Sequence, residues 1–152
     1  MAAGEISKRY RRVAEQFTGR ARSVPDDAWD NPAPCEGWVA RDVVRHMVDW
    51  MPGFFLGGAG VDVPTIPSVD DDPSGAWEVV DRAIQAALDD PEISAREFDM
   101  RAGRYRLDDT VATFGLGDVL VHTWDLARAT GLDETLDADE QTKLIAFTGR
   151  RP

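Results

Sequence analysis

The segment DDTVATFGLGDVLVHTWDLARATG, residues 108–131, predicts the longest helix of this chain, over residues 108–129. Apolar residues lie on two of its sides, with Leu116, Val119, Leu120 and Ala127 on one and Val111, Phe114, Val121 and Ala129 on the other. A helix that is apolar nearly all round is typically buried. Gly131 follows at the position of a C-terminal cap. We therefore expect a central helix with other helices packed around it.

Three amphipathic segments predict the other principal helices. The apolar stripe of the first helix recurs at steps of three and four: Ile6, Tyr10, Val13, Phe17, Ala21 and Val24. The second helix is predicted over residues 39–50, and the third has the stripe Trp77, Val80, Ile84, Ala87 and Leu88. A fifth, short helix is predicted over residues 137–147. Four principal helices without strand alternation predict an all-α four-helix bundle with a short extra C-terminal helix.

The connecting segments differ in composition. Two prolines in residues 29–36 predict an extended connector, and Gly103 centres a short extended or hairpin-like link at residues 98–107. Residues 52–73 contain glycines, prolines and aspartates without a period, which predicts a long loop. Loops of this length are often functional, so we expect this one to form the mouth of a site.

Length and charge limit the classes of function. The 152 residues fit a single domain, residues 1–152, and 43% hydrophobic with 30% charged residues is typical of a soluble globular protein. The net charge of −11 argues against nucleic acid and anionic lipid as main partners. The local basic cluster is interpreted as a solvated helix face: Lys8, Arg9, Arg11, Arg12, Arg20 and Arg22.

Cys35 is the only cysteine of the chain. It excludes an internal disulfide and a cage of thiolates, so that a metal would have nitrogen and oxygen ligands. Cys35 itself is interpreted as a small buried hydrophobic residue. With no apolar segment long enough to cross a membrane or to direct export, we expect a cytoplasmic protein.

The two histidines of the chain have matching surroundings. His46 has Asp42 four residues before it and Asp49 three residues after it, and His122 is flanked in the same way by Asp118 and Asp125. On a helix these offsets place the three side chains on one face. An imidazole and a carboxylate one turn apart can bind the same divalent cation. The pattern therefore indicates a metal site.

Burial strengthens this interpretation for the second histidine. Asp118, His122 and Asp125 share one side of the predicted central helix. A buried carboxylate without a partner costs several kcal/mol, and a divalent cation would offset that cost. The alternatives are a core histidine hydrogen-bonded to a carbonyl and, for Asp118, an N-cap after Gly115 and Gly117.

The neighbouring residues have simpler interpretations. Asp42 lies in the first turn of its helix, where the helix dipole favours a carboxylate, and is interpreted as structural. Asp125 could be a ligand, an acceptor for an imidazole N–H or a partner of Arg128, and the acceptor role is preferred. The tryptophans nearby in sequence are assigned to the core rather than to a substrate cage: Trp38, Trp50 and Trp124. Two histidines and one carboxylate would leave coordination positions open, as in catalytic sites, and zinc, iron(II) and nickel(II) all accept such ligands.

Three stretches resemble one protein family: PCEGW at residues 34–38 continuing into RDVVRH at residues 41–46, DVLVHTWDLARATG at residues 118–131, and LIAFTGRRP at residues 144–152. They resemble actinobacterial metal-binding proteins related to the N-terminal domain of mycothiol-dependent maleylpyruvate isomerase, in the DinB/YfiT-like superfamily. The resemblance implies His46, Asp118 and His122 as metal ligands. Asp118 replaces a glutamate of the isomerase, and Val39 replaces a threonine that caps the second helix in the family.

The resemblance also implies a function. A divalent ion would activate mycothiol or a similar thiol for transfer to, or isomerisation of, a small electrophile. The isomerase has a second, C-terminal domain, and no part of this chain is expected to correspond to it. The alternatives are a non-enzymatic small-molecule or metal-binding module and a metal-assisted hydrolase or lyase that uses water. The expected partners are a small-molecule substrate and a low-molecular-weight thiol, with a homodimer as an option.

Overall fold

The computed structural model describes residues 4–148 and confirms an all-α, DinB-like bundle. The principal helices are α1 (Glu5–Ser23), α2 (Ala40–Met51), α3 (Pro73–Asp89) and α6 (Leu116–Thr130). Helices α1 and α2 each contact both α3 and α6, so the order around the bundle is α1, α3, α2, α6. The shorter elements are α4 (Pro91–Ser94), β1 (Glu97–Met100), β2 (Gly103–Arg106), α5 (Leu107–Thr110) and α7 (Ala138–Thr148). Residues 149–152, in the third resemblance stretch, lie outside the described residues.

Helix α2 continues past the residue where the sequence predicted a loop. Pro52–Gly57 form a π-helical extension, and Pro52, Phe55 and Leu56 in it are buried. The prediction of a loop from residue 52 is therefore wrong for its first six residues. Proline has a fixed φ compatible with a helix, and burial of the apolar side chains offsets its missing N–H bond and the crowding of its ring against the preceding turn.

The predicted long helix is present as three consecutive helical parts: α5, a π-helical segment at Val111–Gly115, and α6. Gly131 ends α6 with φ of 74° and ψ of 21°, the left-handed conformation of a C-terminal cap. One side of the helix is buried as expected, but Phe114 and Val121 are 37% and 43% exposed. The expectation of burial all round was thus wrong for these two residues, because they line an open cleft beside α7.

Helix α7 is held against the bundle by charge and by close packing. Glu140, with its side chain 3% exposed, pairs with Arg9 of α1 at 2.9 Å. A Cβ atom at Gly117 would lie 2.8 Å from Leu144 Cδ1, so the glycine permits this close approach between α6 and α7. The helix therefore forms one wall of the cleft rather than an extension of the core.

The connector between α1 and α2 is ordered by backbone hydrogen bonds. Ala33 N–H donates to Trp38 O at 2.8 Å, and Trp38 N–H donates to Cys35 O at 3.0 Å. Gly37 has φ of 79°, which an L-residue rarely adopts, and so permits this turn. The Asn31 side chain donates to Ala129 O at 3.2 Å and thereby joins the connector to α6.

The remaining segments lie outside the principal helices. Of the two alternatives for residues 98–107, the hairpin is present, with β1 antiparallel to β2 and Phe98 opposite Tyr105. The segment before α3 contacts α2, where the Arg41 guanidinium donates to Val69 O and Asp70 O at 3.2 and 3.0 Å. Within residues 4–148, every helix is too short or too polar to cross a bilayer.

Truncation in the core of α6 should destabilise the bundle. Leu126 is fully buried, whereas Val63 is 45% exposed. We expect Leu126→Ala to lower the free energy of unfolding by about 2–5 kcal/mol, because it removes buried methyl groups and leaves a cavity. Val63→Ala is the control and should change it by less than about 0.5 kcal/mol. Chemical denaturation followed by circular dichroism measures both, and equal losses would contradict the assignment of α6 to the core.

Candidate metal centre

Three structural elements bring the chemically active side chains together. Helix α2 supplies His46 and Trp50, helix α6 supplies Asp118, His122 and Asp125, and the connector supplies Cys35 and Trp38. The two motifs are far apart in sequence, and packing of α2 against α6 brings them together. The two imidazole ring centroids are 4.7 Å apart.

The Asp118 carboxylate lies against both imidazoles. Its Oδ2 is 3.1 Å from His46 Nε2, and its Oδ1 is 3.3 Å from His122 Nε2. One ligand atom from each of the three residues lies within 4.8 Å of the others. The predicted ligand trio of His46, Asp118 and His122 is therefore assembled in space, although its occupation by a metal stays a prediction.

Asp118 does not act as the N-cap considered from the sequence. Helix α6 begins at Leu116, and Gly115 precedes it without a side-chain capping bond. Besides its contacts with the two imidazoles, Asp118 Oδ2 accepts a hydrogen bond from Trp50 Nε1 at 3.0 Å. Burial raises the pKa of Asp118, but the contacts with His122 and His46 lower it more, and the net pKa is below its usual value. Asp118 is therefore an anion that faces the two imidazoles.

Asp125 orients the imidazole of His122. Its Oδ2 lies 2.8 Å from His122 Nδ1, and the Asp125 side chain is 7% exposed. Burial lowers the pKa of His122, but the hydrogen bonds with Asp118 and Asp125 outweigh it and raise that pKa to about 9. At neutral pH these protein groups favour an imidazolium that points Nδ1–H at Asp125 and Nε2–H at Asp118. Arg128 instead contacts Glu134 at 3.3 Å and the ring of Trp124 at 5.8 Å.

Two tryptophans lie at the centre as well as against the core. Trp38 has its ring centroid 5.4 Å from that of His46 and 6.0 Å from that of His122. Trp50 is 6.2 Å from His46 by the same measure. Both are half-buried and pack against the core, so their assignment to the core holds in part and omitted their contacts with the imidazoles. Periodicity alone could not distinguish a role at the centre from a role in the core for Trp50. This residue lies one turn after His46 on a helix face that also packs against the core.

Cys35 lies closer to the centre than the sequence indicated. Its thiol donates to Asp125 Oδ2 at 3.7 Å, and Cys35, His122 and Asp125 form a second trio with ligand atoms within 4.8 Å of one another. Burial raises the pKa of the Cys35 thiol, and the charge of Asp125 adds to this effect. The half-buried thiol is therefore held in its protonated form.

The carboxylates beside His46 have other positions. Asp42 Oδ2 accepts a hydrogen bond from Val39 N–H at 2.9 Å, which supports the start of α2 where Val39 lacks a capping side chain. Asp49 is exposed to solvent. The two histidines thus have matching neighbours in sequence, but the neighbouring carboxylates lie in different positions in the two helices. Only α6 supplies a carboxylate to the trio.

The donor set fits a divalent ion. Two ligand atoms about 2.1 Å from a tetrahedral ion are roughly 3.4 Å apart. This is close to the 3.1 Å from His46 Nε2 to Asp118 Oδ2 and the 3.3 Å from His122 Nε2 to the other carboxylate oxygen, Oδ1. The acceptor beside His122 Nδ1 is the kind of group that orients a ligating histidine. The His46 and Asp118 side chains are 32% and 29% exposed, so the centre is open to solvent on that side.

The cleft that reaches Asp118 differs in position from the mouth predicted at residues 52–73. Its lining comes from α1, from residues 112–121 and from α7. Asp70, in the predicted loop, contacts Arg45 on α2 instead. Of the predicted mouth, Phe54 approaches the centre, with its ring centroid 5.6 Å from that of Trp50.

Comparison with known proteins supports the resemblance. Residues 10–54 match the family model of the mycothiol maleylpyruvate isomerase N-terminal domain. Two uncharacterized proteins of Mycobacterium tuberculosis, from strains CDC 1551 and H37Rv, are each 28% identical over 142 residues, covering 90% of this chain and 74% of the relative. No solved structure gives a significant match. The matched region contains His46 and the connector, and it ends before Asp118 and His122. Over residues 10–54, the chain is therefore similar to the mycothiol maleylpyruvate isomerase N-terminal domain.

Proposed function

We propose that this protein binds a divalent metal ion and uses it to activate a low-molecular-weight thiol of the mycothiol type against a small electrophile. The observation that carries the proposal is the approach of two imidazole Nε2 atoms to one carboxylate, at 3.1 and 3.3 Å. His46, Asp118 and His122 would hold the ion. The match to a mycothiol isomerase domain supports the choice of thiol.

The ligand types favour zinc, and iron(II) and nickel(II) are compatible with the same set. When bound, the ion supplies Lewis acidity that lowers the pKa of a thiol at an open coordination position, so that a thiolate is available at neutral pH. Three protein ligands leave that position open. The exposed side of His46 and Asp118 provides access for the thiol.

The surrounding side chains fix the ligands. Asp125 holds a proton of His122 on Nδ1, so that Nε2, once it has lost its own proton, would be the nitrogen that binds the ion. Trp50 Nε1–H donates to Asp118 Oδ2 and limits rotation of the carboxylate. The Trp38 ring covers part of both imidazoles and reduces their contact with water. These groups pre-organise the centre before a ligand arrives.

Two reactions are compatible with this arrangement. In conjugation, a sulfur lone pair forms a bond to carbon while the bond from that carbon to its leaving group breaks. The leaving group departs with the bonding electrons, and the thiol proton passes to solvent. In isomerisation, the thiol adds to a double bond, the resulting single bond rotates, and elimination returns the thiol unchanged. Consumption of thiol therefore distinguishes the two reactions.

The proposal is tested with mycothiol and 1-chloro-2,4-dinitrobenzene as the electrophile. Zinc-loaded protein should accelerate conjugation, and EDTA should abolish the acceleration. His46→Ala should lower the rate by more than about 100-fold, because a ligand is lost. Asp49→Asn changes an exposed carboxylate on the same helix and should remain within about twofold of the unmodified protein. Absorbance of the thioether measures the rate, and mass spectrometry measures the metal content.

Other outcomes distinguish the alternatives. Stoichiometric zinc without chelator-sensitive conjugation or isomerisation would favour the non-enzymatic binding module. Chelator-sensitive cleavage of an ester in the absence of thiol would favour a metal-assisted hydrolase. Equal zinc content in His46→Ala and the unmodified protein would contradict the metal centre itself.

Zinc affinity should rise with pH. The His122 imidazolium, with pKa about 9, must lose its Nε2 proton before that nitrogen can bind an ion. Below this pKa, one displaced proton per ion implies an affinity that rises about tenfold per pH unit. Competition with a chromophoric chelator between pH 6 and pH 8 measures the slope. A flat profile, after correction for the chelator's own protonation, would contradict this displacement.

Asp125→Asn should weaken the centre without removing a ligand. The amide is a poorer acceptor for His122 Nδ1–H than the carboxylate, so the preferred tautomer is less strongly held. We expect zinc affinity to fall about 10–100-fold. Circular dichroism should show unchanged helix content, and Asp49→Asn again serves as the control. An affinity within twofold of the unmodified protein would show that Asp125 does not orient His122.

A further inference from the structure

A cleft of about 620 Å³ adjoins the candidate metal centre. Its walls come from the start of α1, from residues 112–121 and from α7, and Asp118 belongs to both the cleft and the ligand trio. Its volume is in the range of sites that enclose small organic molecules. The cleft thus offers room for a second reactant beside the ligands.

The walls of the cleft are apolar and exposed. Phe114, Val121 and Phe147 line it and are 37%, 43% and 67% exposed, while Leu116, Leu120 and Leu144 form the more enclosed part. Concave exposed apolar surface of this kind marks a binding site more often than a solvated face. Because Asp118 also lines the cleft, a molecule bound there would lie beside the candidate metal ligands.

The charges in the cleft disfavour an anionic ligand. Two cationic side chains line it, and both contact the same carboxylate: Arg9 Nη2 is 2.9 Å and Lys143 Nζ is 3.7 Å from Glu140 oxygens. Glu5 and Asp118 add two further carboxylates to the lining. In the metal-free protein an anion would therefore compete with Glu140 for cations and face two other negative charges.

From these features we infer that the cleft binds the electrophile, and that this reactant is an uncharged molecule with an aryl or branched alkyl body. The identification of the ligand as the electrophile rests on the proposed function. The binding of an uncharged molecule of this shape does not rest on it. The apolar body contacts Val121 and Phe147, and the reactive carbon lies at the Asp118 end of the cleft. A small molecule fits better than a second copy of the chain, because the surface is concave and encloses an ion pair and a carboxylate.

Binding is tested without thiol, so that no reaction takes place. The probe is 2,4-dinitrotoluene, an uncharged and unreactive analogue of the electrophile, and its anionic counterpart is 2,4-dinitrobenzoate. Quenching of tryptophan fluorescence in zinc-loaded and in EDTA-treated protein measures both dissociation constants. In the EDTA-treated protein, where no ion offsets the charge of Asp118, we expect the uncharged probe to bind at least about tenfold more tightly than the anion.

Two variants locate the probe. Val121→Ser and Phe147→Ala should each weaken binding of 2,4-dinitrotoluene on the order of fivefold, because they remove apolar contact area. Val63→Ser is the matched control, since Val63 is 45% exposed, close to the 43% of Val121, but lies outside the cleft. In the conjugation assay, Val121→Ser should raise KM for 1-chloro-2,4-dinitrobenzene and leave kcat within about twofold.

The outcomes separate this inference from the proposed function. If the probe binds and the cleft variants weaken it, but no conjugation occurs, the cleft is a binding site and the thiol reaction is wrong. If conjugation occurs but Val121→Ser and Phe147→Ala bind the probe as Val63→Ser does, the cleft inference is overturned. A dimer in sedimentation equilibrium that Phe147→Ala dissociates would also overturn it, because the cleft would then be an interface between copies.

Discussion

The Asp118 carboxylate accepts contacts from three ring systems at once: the imidazoles of His46 and His122 and the indole of Trp50. Two of these rings belong to α2 and the third belongs to the same helix as the carboxylate. A half-buried anion requires such partners, because its desolvation would otherwise cost several kcal/mol. The interaction joins α2 to α6. The relative placement of these two helices therefore depends in part on the contacts of Asp118.

The centre is pre-organised because its supporting contacts come from different parts of the bundle. The connector is linked to α6 through Asn31, and it places the ring of Trp38 next to both imidazoles. Asp125 lies on α6, one turn after His122, and holds the imidazole from the buried side. Each side chain is thus oriented by a helix or by an ordered turn rather than by a free loop, which favours a reproducible geometry for binding and for chemistry.

The sequence could predict the helices, because apolar spacing at three and four residues reports burial directly. The carboxylate offsets around His46 and His122 indicated a metal site, but the choice of Asp118 as the third candidate ligand came from the family resemblance. Pro52 was misread because the loss of one hydrogen bond is small beside the burial of Phe55 and Leu56. The exposure of Val121 could not be predicted from α6 alone, since it depends on where α7 packs. The contact of Trp50 with Asp118 similarly depends on how two distant helices meet.

The sharing of Asp118 between the ligand trio and the cleft has a thermodynamic consequence. A molecule bound in the cleft would change the solvation and the electric field at a carboxylate that would also ligate the proposed ion, so the two binding equilibria would be linked. Linkage of this kind is reciprocal. If the ion changes the affinity for the small molecule by some factor, the small molecule changes the affinity for the ion by the same factor. Asp118 alone would therefore couple the binding of a small molecule to the binding of the proposed ion, without any movement of the helices.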